Sequence, residues 1–446
     1  MKRTLQLTLL LFCHQAMADE SAVTTTDATR TAYSQPIPAL TAAQRPPFLQ
    51  GRSLVRQVWV IPPSENREIA GLGPLYNRIS CIACHAGNGR GFAPATPQEP
   101  MRSMLVRLSI AGENPHGAPN PHPVYGDQLN ENGVPSVQGE GRTEIHYTTR
   151  RIQLNGGEHV SLRQPHLKFT ELGYGAIAPD VMTSPRIAPP IFGLGLLQAV
   201  PESAIVAQLS APKPKGIQGK VNRVWDAVQQ KTVLGRFGWK ANMPNVHQQI
   251  AGAFIGDMGI TSPIFPAENC TATQTNCQLA PSAGKPELSA QQLEATAFYH
   301  FALAAPQARQ PQDKEVQRGA RLFQQAQCAA CHTPTLTTGE FPALPALAHQ
   351  TIHPYSDLLL HDMGAALADH RPDFQATGRE WRTPPLWGIG LAQKIEPRAG
   401  FLHDGRARTL LEAVLWHDGE GRAAAQAVIK MPVSSRRALL TFLKSL

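Results

Sequence analysis

The stretch "SCIACHAGNGRG", residues 80–91, sets two cysteines three positions apart with a histidine directly after the second. The pattern returns as "CAACH" at residues 328–332, so four of the chain's seven cysteines sit in two copies of one motif. In CxxCH the two thiols are spaced to attack the vinyl groups of a haem, and the next imidazole then lies under the iron as its proximal ligand. Cys81, Cys84, Cys328 and Cys331 are therefore the expected attachment points of two covalent c-type haems, with His85 and His332 as the expected iron ligands. Zinc held by two CxxC pairs would not require a histidine after each. A thioredoxin-like dithiol would place one CxxC at a helix start after a strand, whereas each motif here follows a helical lead-in, "LGPLYNRIS" and "RGARLFQQAQ".

The ends of the chain and its charge bound the setting. "MKRTLQLTLLLFCHQAMADE" has a basic pair, a short apolar run and the small-residue step Ala16-Met17-Ala18, which reads as a secretory signal over residues 1–18 cleaved after Ala18. The apolar run is far short of the roughly 20 residues of a spanning helix, so a periplasmic protein without a transmembrane span is expected. Bulky Leu11 and Phe12 before Cys13 argue against a lipoprotein. The formal charge of +8 is carried by scattered arginines, and an exported protein seldom meets nucleic acid, so none is expected as a partner. Cys270 and Cys277, in the polar loop "NCTATQTNC", are expected to form a structural disulfide in an oxidising compartment.

Working outward from the motifs, the two halves run in parallel. "GPLYNRISCIACH" matches "GARLFQQAQCAACH", and "SPRIAPPIFGLGLLQ" matches "EWRTPPLWGIGLAQK". Each haem motif is thus followed by an arginine shortly before Pro-Pro and then by an apolar Gly-x-Gly stretch, the mark of two related units. "APSAGKPELS" resembles a linker, which gives an N-terminal haem domain over 45–284 and a C-terminal one over 285–446. "RRIQLNGGEHVSLR" alternates apolar residues about Asn155-Gly156-Gly157, a hairpin signal. The expected fold is mainly α, two cytochrome c-like haem domains with a β-rich insertion at roughly 120–170 in the N-terminal one.

"GLGPLYNRISCIACHAGNGRG", "PVYGDQLNE", "LGRFGWKA", "GDMGITS", "YSDLLLHDMGAALAD", "EWRTPPLWGIG" and "FLHDGRARTLLEAVLWHDGE" together resemble the bacterial di-haem oxidoreductases sometimes labelled thiol oxidoreductases, relatives of di-haem cytochrome c peroxidases. The resemblance covers most of the chain beyond about residue 50 and implies a two-haem periplasmic redox protein. It departs at His122-Pro123, where an aspartate is expected before Pro-Val-Tyr-Gly. It also implies roles for particular residues. Met363, in the Asp-Met-Gly string at 362–364, resembles the sixth iron ligand of the peroxidases, and His403 with Arg406 resembles a haem-lining segment that anchors propionates.

For the N-terminal iron, Met258 in the other Asp-Met-Gly string competes with Met182, with His122 or His146, and with an open position. Cleavage of a peroxide O–O bond needs a group that moves a proton between its oxygens, and Gln138 and Glu140 in "VPSVQGEGR" are the expected candidates. Trp239, Trp381 and Trp387 are candidates for electron transfer between the haems. The leading reading is an enzyme that takes electrons from a small periplasmic cytochrome c or cupredoxin and reduces peroxide or another small oxidant. The alternative is an electron-transfer protein of a respiratory or iron-uptake system, with no small substrate.

Overall fold

Two helix pairs frame the molecule, and each is closed by a glycine. Helix Arg45–Arg56 crosses helix Ala290–Ala302, and helix Lys314–Gln325 crosses helix Val433–Ser445. Their starts are written in the sequence. Pro46 and Pro47 open the first, Ser289 and Gln292 form a capping box on the second, and Asp313 caps the third through Glu315 N and Val316 N. At the crossings Gly51 lies against Ala295 O and Tyr299, and Gly319 against Ala438 O and Phe442. The two crossings make Gly51 the structural counterpart of Gly319, whereas the sequence parallel sets Gly73 there, a residue that precedes the short strand Leu75–Tyr76 and lies in no helix. Gly319→Ala is expected to destabilise the protein by about 1–3 kcal/mol through overpacking. Glycine-to-alanine in an unpacked helix instead stabilises by up to about 1 kcal/mol, so the sign of the shift in thermal unfolding checks the crossing.

The computed structural model describes residues 20–284 and 286–446. The expected signal peptide therefore lies outside the described residues. Among those described, no helix is long and apolar enough to cross a membrane.

The expectation of a mainly α protein is overturned. Helix makes up 31% and strand 20% of the chain, in several small sheets that are mostly antiparallel. The excess strand comes from segments outside the expected insertion. Met104–Glu113 buries Met104, Val106 and Leu108 at period two and pairs with Met182–Ile187, and Asn222–Asp226 pairs with Lys231–Gly235. The hairpin about Asn155-Gly156-Gly157 is present, with strands Arg142–Gln153 and His159–Thr170. Gly156 and Gly157 take positive φ there, which suits glycine.

That hairpin reaches across to the C-terminal half. Asn155 bonds Ile429 O and Lys430 O, Arg436 pairs with Glu158, and Leu154 and Leu162 pack with Leu367 and Trp416. The largest core is also shared between the halves, running from Tyr33 and Trp59 through Phe254 and Tyr299 to Leu347 and Trp387. Helix Ala290–Ala302, placed by sequence at the start of the second unit, packs on the first.

Candidate functional site

Each CxxCH motif borders its own cleft. The clefts measure about 1360 Å³ and 1210 Å³ including their open mouths. Cys328, Cys331 and His332 line the first, the C-terminal cleft. Cys84 and His85 line the second, with Cys81 packed beside it in the core. The four cysteines are unpaired, whereas Cys270 and Cys277 form the expected disulfide. Because the two CxxC pairs serve different clefts they do not make a joint zinc site, and no cluster of three metal-ligating side chains occurs among the described residues. Burial pushes the thiols of Cys81, Cys84 and Cys328 up to about 12, the opposite of an activated dithiol.

The histidines are oriented as ligands. His85 Nδ1 lies 2.7 Å from Pro189 O and His332 Nδ1 2.9 Å from Tyr355 O, contacts that assign the proton to Nδ1 and leave Nε2 bare. Burial holds both imidazoles neutral, down to about 4.

In the C-terminal cleft a second imidazole stands near His332. The rings of His332 and His417 are 6.5 Å apart, and His417 Nδ1 is likewise tied to a carbonyl, Ala413 O. Two imidazoles on either side of one metal, each bonded at about 2 Å, put their ring centres roughly 6 Å apart. Met363 lines the same cleft, crowding Gly421 together with His417. The ring set against His332, however, is that of His417.

The N-terminal cleft is walled differently. Helix Val246–Met258, capped by Asn245 and stopped by Gly259 at positive φ, presents Gln249, Ile250, Ala253 and Asp257 to it along one stripe. Gln128 Nε2 donates to Asp257 Oδ1 at 2.9 Å and to Gly256 O at 2.7 Å, fixing the carboxyl. Burial raises the Asp257 pKa, against the pull of Arg107 and of the Gln128 hydrogen bond. Gln249 Oε1 and Asn242 Oδ1 are buried at this wall without partners among the described residues. His300 also lines the cleft, its Nδ1 held by Thr296 O, at the place that Leu443 takes in the other half.

Buried arginines complete the clefts. Among the described residues Arg382, which lines both, bonds only carbonyls, Gly238 O and Thr383 O, and Arg90, which lines the C-terminal cleft, reaches only Gly400 O. A buried guanidinium without a carboxylate calls for an anion from elsewhere. Trp239 also lines both clefts, its Nε1–H donating to Ile187 O at 2.9 Å.

Several residues singled out by sequence lie elsewhere. Met258 packs in the core and lines neither cleft, because the neighbouring Asp257 takes the cleft-facing position on that helix. Glu140 is buried away from both clefts, accepting from Asn130 N and Gln274 Nε2, and burial pushes it up to about 8. Gln138 is exposed on the same loop and outside both clefts. Arg406 is paired with Asp404 at 2.7 Å and bonded to Ala366 O, so its fork is already satisfied. His403 does line the C-terminal cleft, stacked on Trp381 at 3.6 Å. His122 caps a turn through Val124 N and Tyr125 N, Met182 lines neither cleft, and His146 is exposed on the hairpin beside Glu144.

A family model described as "Di-haem oxidoreductase, putative peroxidase" matches residues 14–446. The chain belongs to this family. No curated protein matches it significantly. Two clefts, each with a CxxCH motif, suit a di-haem oxidoreductase, and Arg90 and Arg382 offer cations that the carboxylates of such a group would fit. Of the residues that sequence reading missed in this di-haem oxidoreductase, Asp257 and His417 lie inside strings it had singled out, and Gln249 lies outside them. Their signals were faint. Asp257 and Gln249 share a helix face at a spacing of eight, and His417 opens the second His-Asp-Gly string after 403–405.

Proposed function

We propose that this chain is a periplasmic c-type di-haem oxidoreductase that reduces peroxide with electrons from a small cytochrome c or cupredoxin. Cys81, Cys84 and His85 would hold one haem, and Cys328, Cys331, His332 and His417 the other. Arg90 and Arg382 would receive propionates. Bound haem supplies an iron that stores an electron and, where a position is open, takes up peroxide. We place the division between the two haem units after helix Ala290–Ala302, since that helix packs on Arg45–Arg56.

The observation that carries the reading is the difference between the clefts. A second imidazole stands against His332 in one, while the other is walled by a carboxyl and two amides. Asp257 Oδ2 is left to carry a proton while Gln128 holds Oδ1, and burial raises the carboxyl's pKa, which favours the protonated form that a proton donor needs. Reduction of peroxide to two waters takes two electrons and two protons, and Asp257 Oδ2 is placed to deliver the latter. Trp239, in the wall of both clefts, is placed to carry electrons between them. Export is supported by the disulfide, which persists in oxidising compartments.

The test combines mass and turnover. The mature protein should exceed its chain mass by two haems and lose one in Cys81→Ala/Cys84→Ala. Its half-reduced form should consume peroxide. A half-reduced protein that ignores peroxide, yet passes electrons rapidly to a second redox protein, would replace this reading with the electron-transfer one.

A further inference from the structure

The chain's six tryptophans differ in what stands over their rings. The Lys240 ammonium lies 4.4 Å from the ring centre of Trp381. Trp416 carries two cations, Arg150 at 4.5 Å and Arg406 at 4.8 Å. Trp239, between the clefts, has no lysine or arginine over its face among the described residues.

The cation on Trp381 is fixed in position. Lys240 Nζ donates to Asp369 Oδ1, Arg371 O and Thr377 O at 2.7, 2.7 and 2.9 Å, three acceptors for the three protons of an ammonium. In this buried group three cations, Lys240, Arg186 and Arg371, pair with two carboxylates, Asp369 and Asp373.

What that charge does depends on where an oxidised indole could send its proton. Trp239 Nε1–H donates to Ile187 O and Trp381 Nε1–H to Leu367 O, while Trp416 Nε1 is buried without a partner. Amide carbonyls do not keep a proton. Loss of one electron therefore leaves a full positive charge on the ring, and a cation that attracts the neutral π face repels the oxidised one.

We propose that Lys240 and Arg150 hold Trp381 and Trp416 in the reduced state, so that Trp239 is oxidised in preference to either of them. The proposal takes peroxide as its physiological oxidant from the peroxidase reading and is otherwise independent of it. In the oxidation, one electron leaves the indole for the oxidant and no proton moves. When water then adds, a second electron and two protons leave, and the stable oxygenated residue is what is detected.

The haem-loaded protein would be treated with peroxide and, separately, with hexachloroiridate(IV) as a one-electron oxidant, and its tryptophan peptides examined by mass spectrometry. In the parent, Trp239 should be oxygenated in preference to Trp381 and Trp416. Lys240→Met/Asp369→Asn, which removes the cation and its partner together, should raise oxygenation at Trp381 relative to Trp239 by about tenfold. The exposed Arg150→Gln alters only the surface and should raise it severalfold at Trp416, so the idea stays testable if the buried double variant does not fold. Equal oxygenation of the three residues in the parent, or unchanged ratios in the folded variants, would overturn the proposal. The expected pattern with hexachloroiridate but no peroxide consumption would sustain it while removing the peroxidase reading.

Discussion

Asp257→Asn should lower peroxide turnover by 10²–10⁴-fold, about what a positioned proton-transfer group contributes, while both haem spectra stay unchanged. The carboxyl lies on the cleft-facing stripe of helix Val246–Met258, with one oxygen fixed by Gln128 and its pKa raised by burial. Asparagine keeps the shape and can still meet Gln128, but it cannot carry the proton. Glu140→Gln is the control, because Glu140 lies outside both clefts. An amide there would turn an NH₂ group towards Asn130 N–H or Gln274 Nε2–H, so the expected cost is stability, about 1–3 kcal/mol for a buried group left unpaired, with turnover per folded molecule retained. A large loss in Glu140→Gln with little in Asp257→Asn would return the proton-transfer role to the loop.

What the sequence disclosed follows from how local each signal is. The CxxCH motifs and the Asn-Gly-Gly hairpin turn are written in a few neighbouring residues, and the clefts and the hairpin form where those residues are. The strand Met104–Glu113 was missed because its alternation is short and its partner, Met182–Ile187, lies some seventy positions away on the far side of the hairpin. Helix Val246–Met258 was noticed for Met258, yet helical geometry decides that Asp257 meets the cleft and Met258 the core. One position along a helix turns a side chain by about 100°, and the register needed to settle the matter is set by packing against Gly73 and Leu75. Arg406 was misplaced for a similar reason. Its proximity to a haem-lining histidine was legible, but its pairing with Asp404, two residues away, was the stronger claim on the guanidinium.

At the C-terminal iron, Met363→Ala should leave the haem potential almost unchanged, whereas His417→Met should raise it by about 100 mV or more. Axial ligands move haem potentials across roughly 0.8 V, and a thioether favours the reduced iron where a second imidazole does not. The geometry favours His417, whose ring lies 6.5 Å from that of His332 and whose Nδ1 is already tied to Ala413 O. Met363 meets the cleft beside it, as part of the wall. The reverse outcome, a shift in Met363→Ala with none in His417→Met, would restore the methionine as ligand. The assignment also bears on why half-reduction should be required. If His332 and His417 both hold that iron, it would have no position for peroxide and would serve to store an electron, and the substrate would be left to the cleft that contains Asp257. His417→Ala removes that distinction. With a position opened in each cleft, the variant should bind small ligands such as cyanide at both haems in its fully oxidised form, while the parent should bind cyanide at the N-terminal haem and not at the C-terminal one.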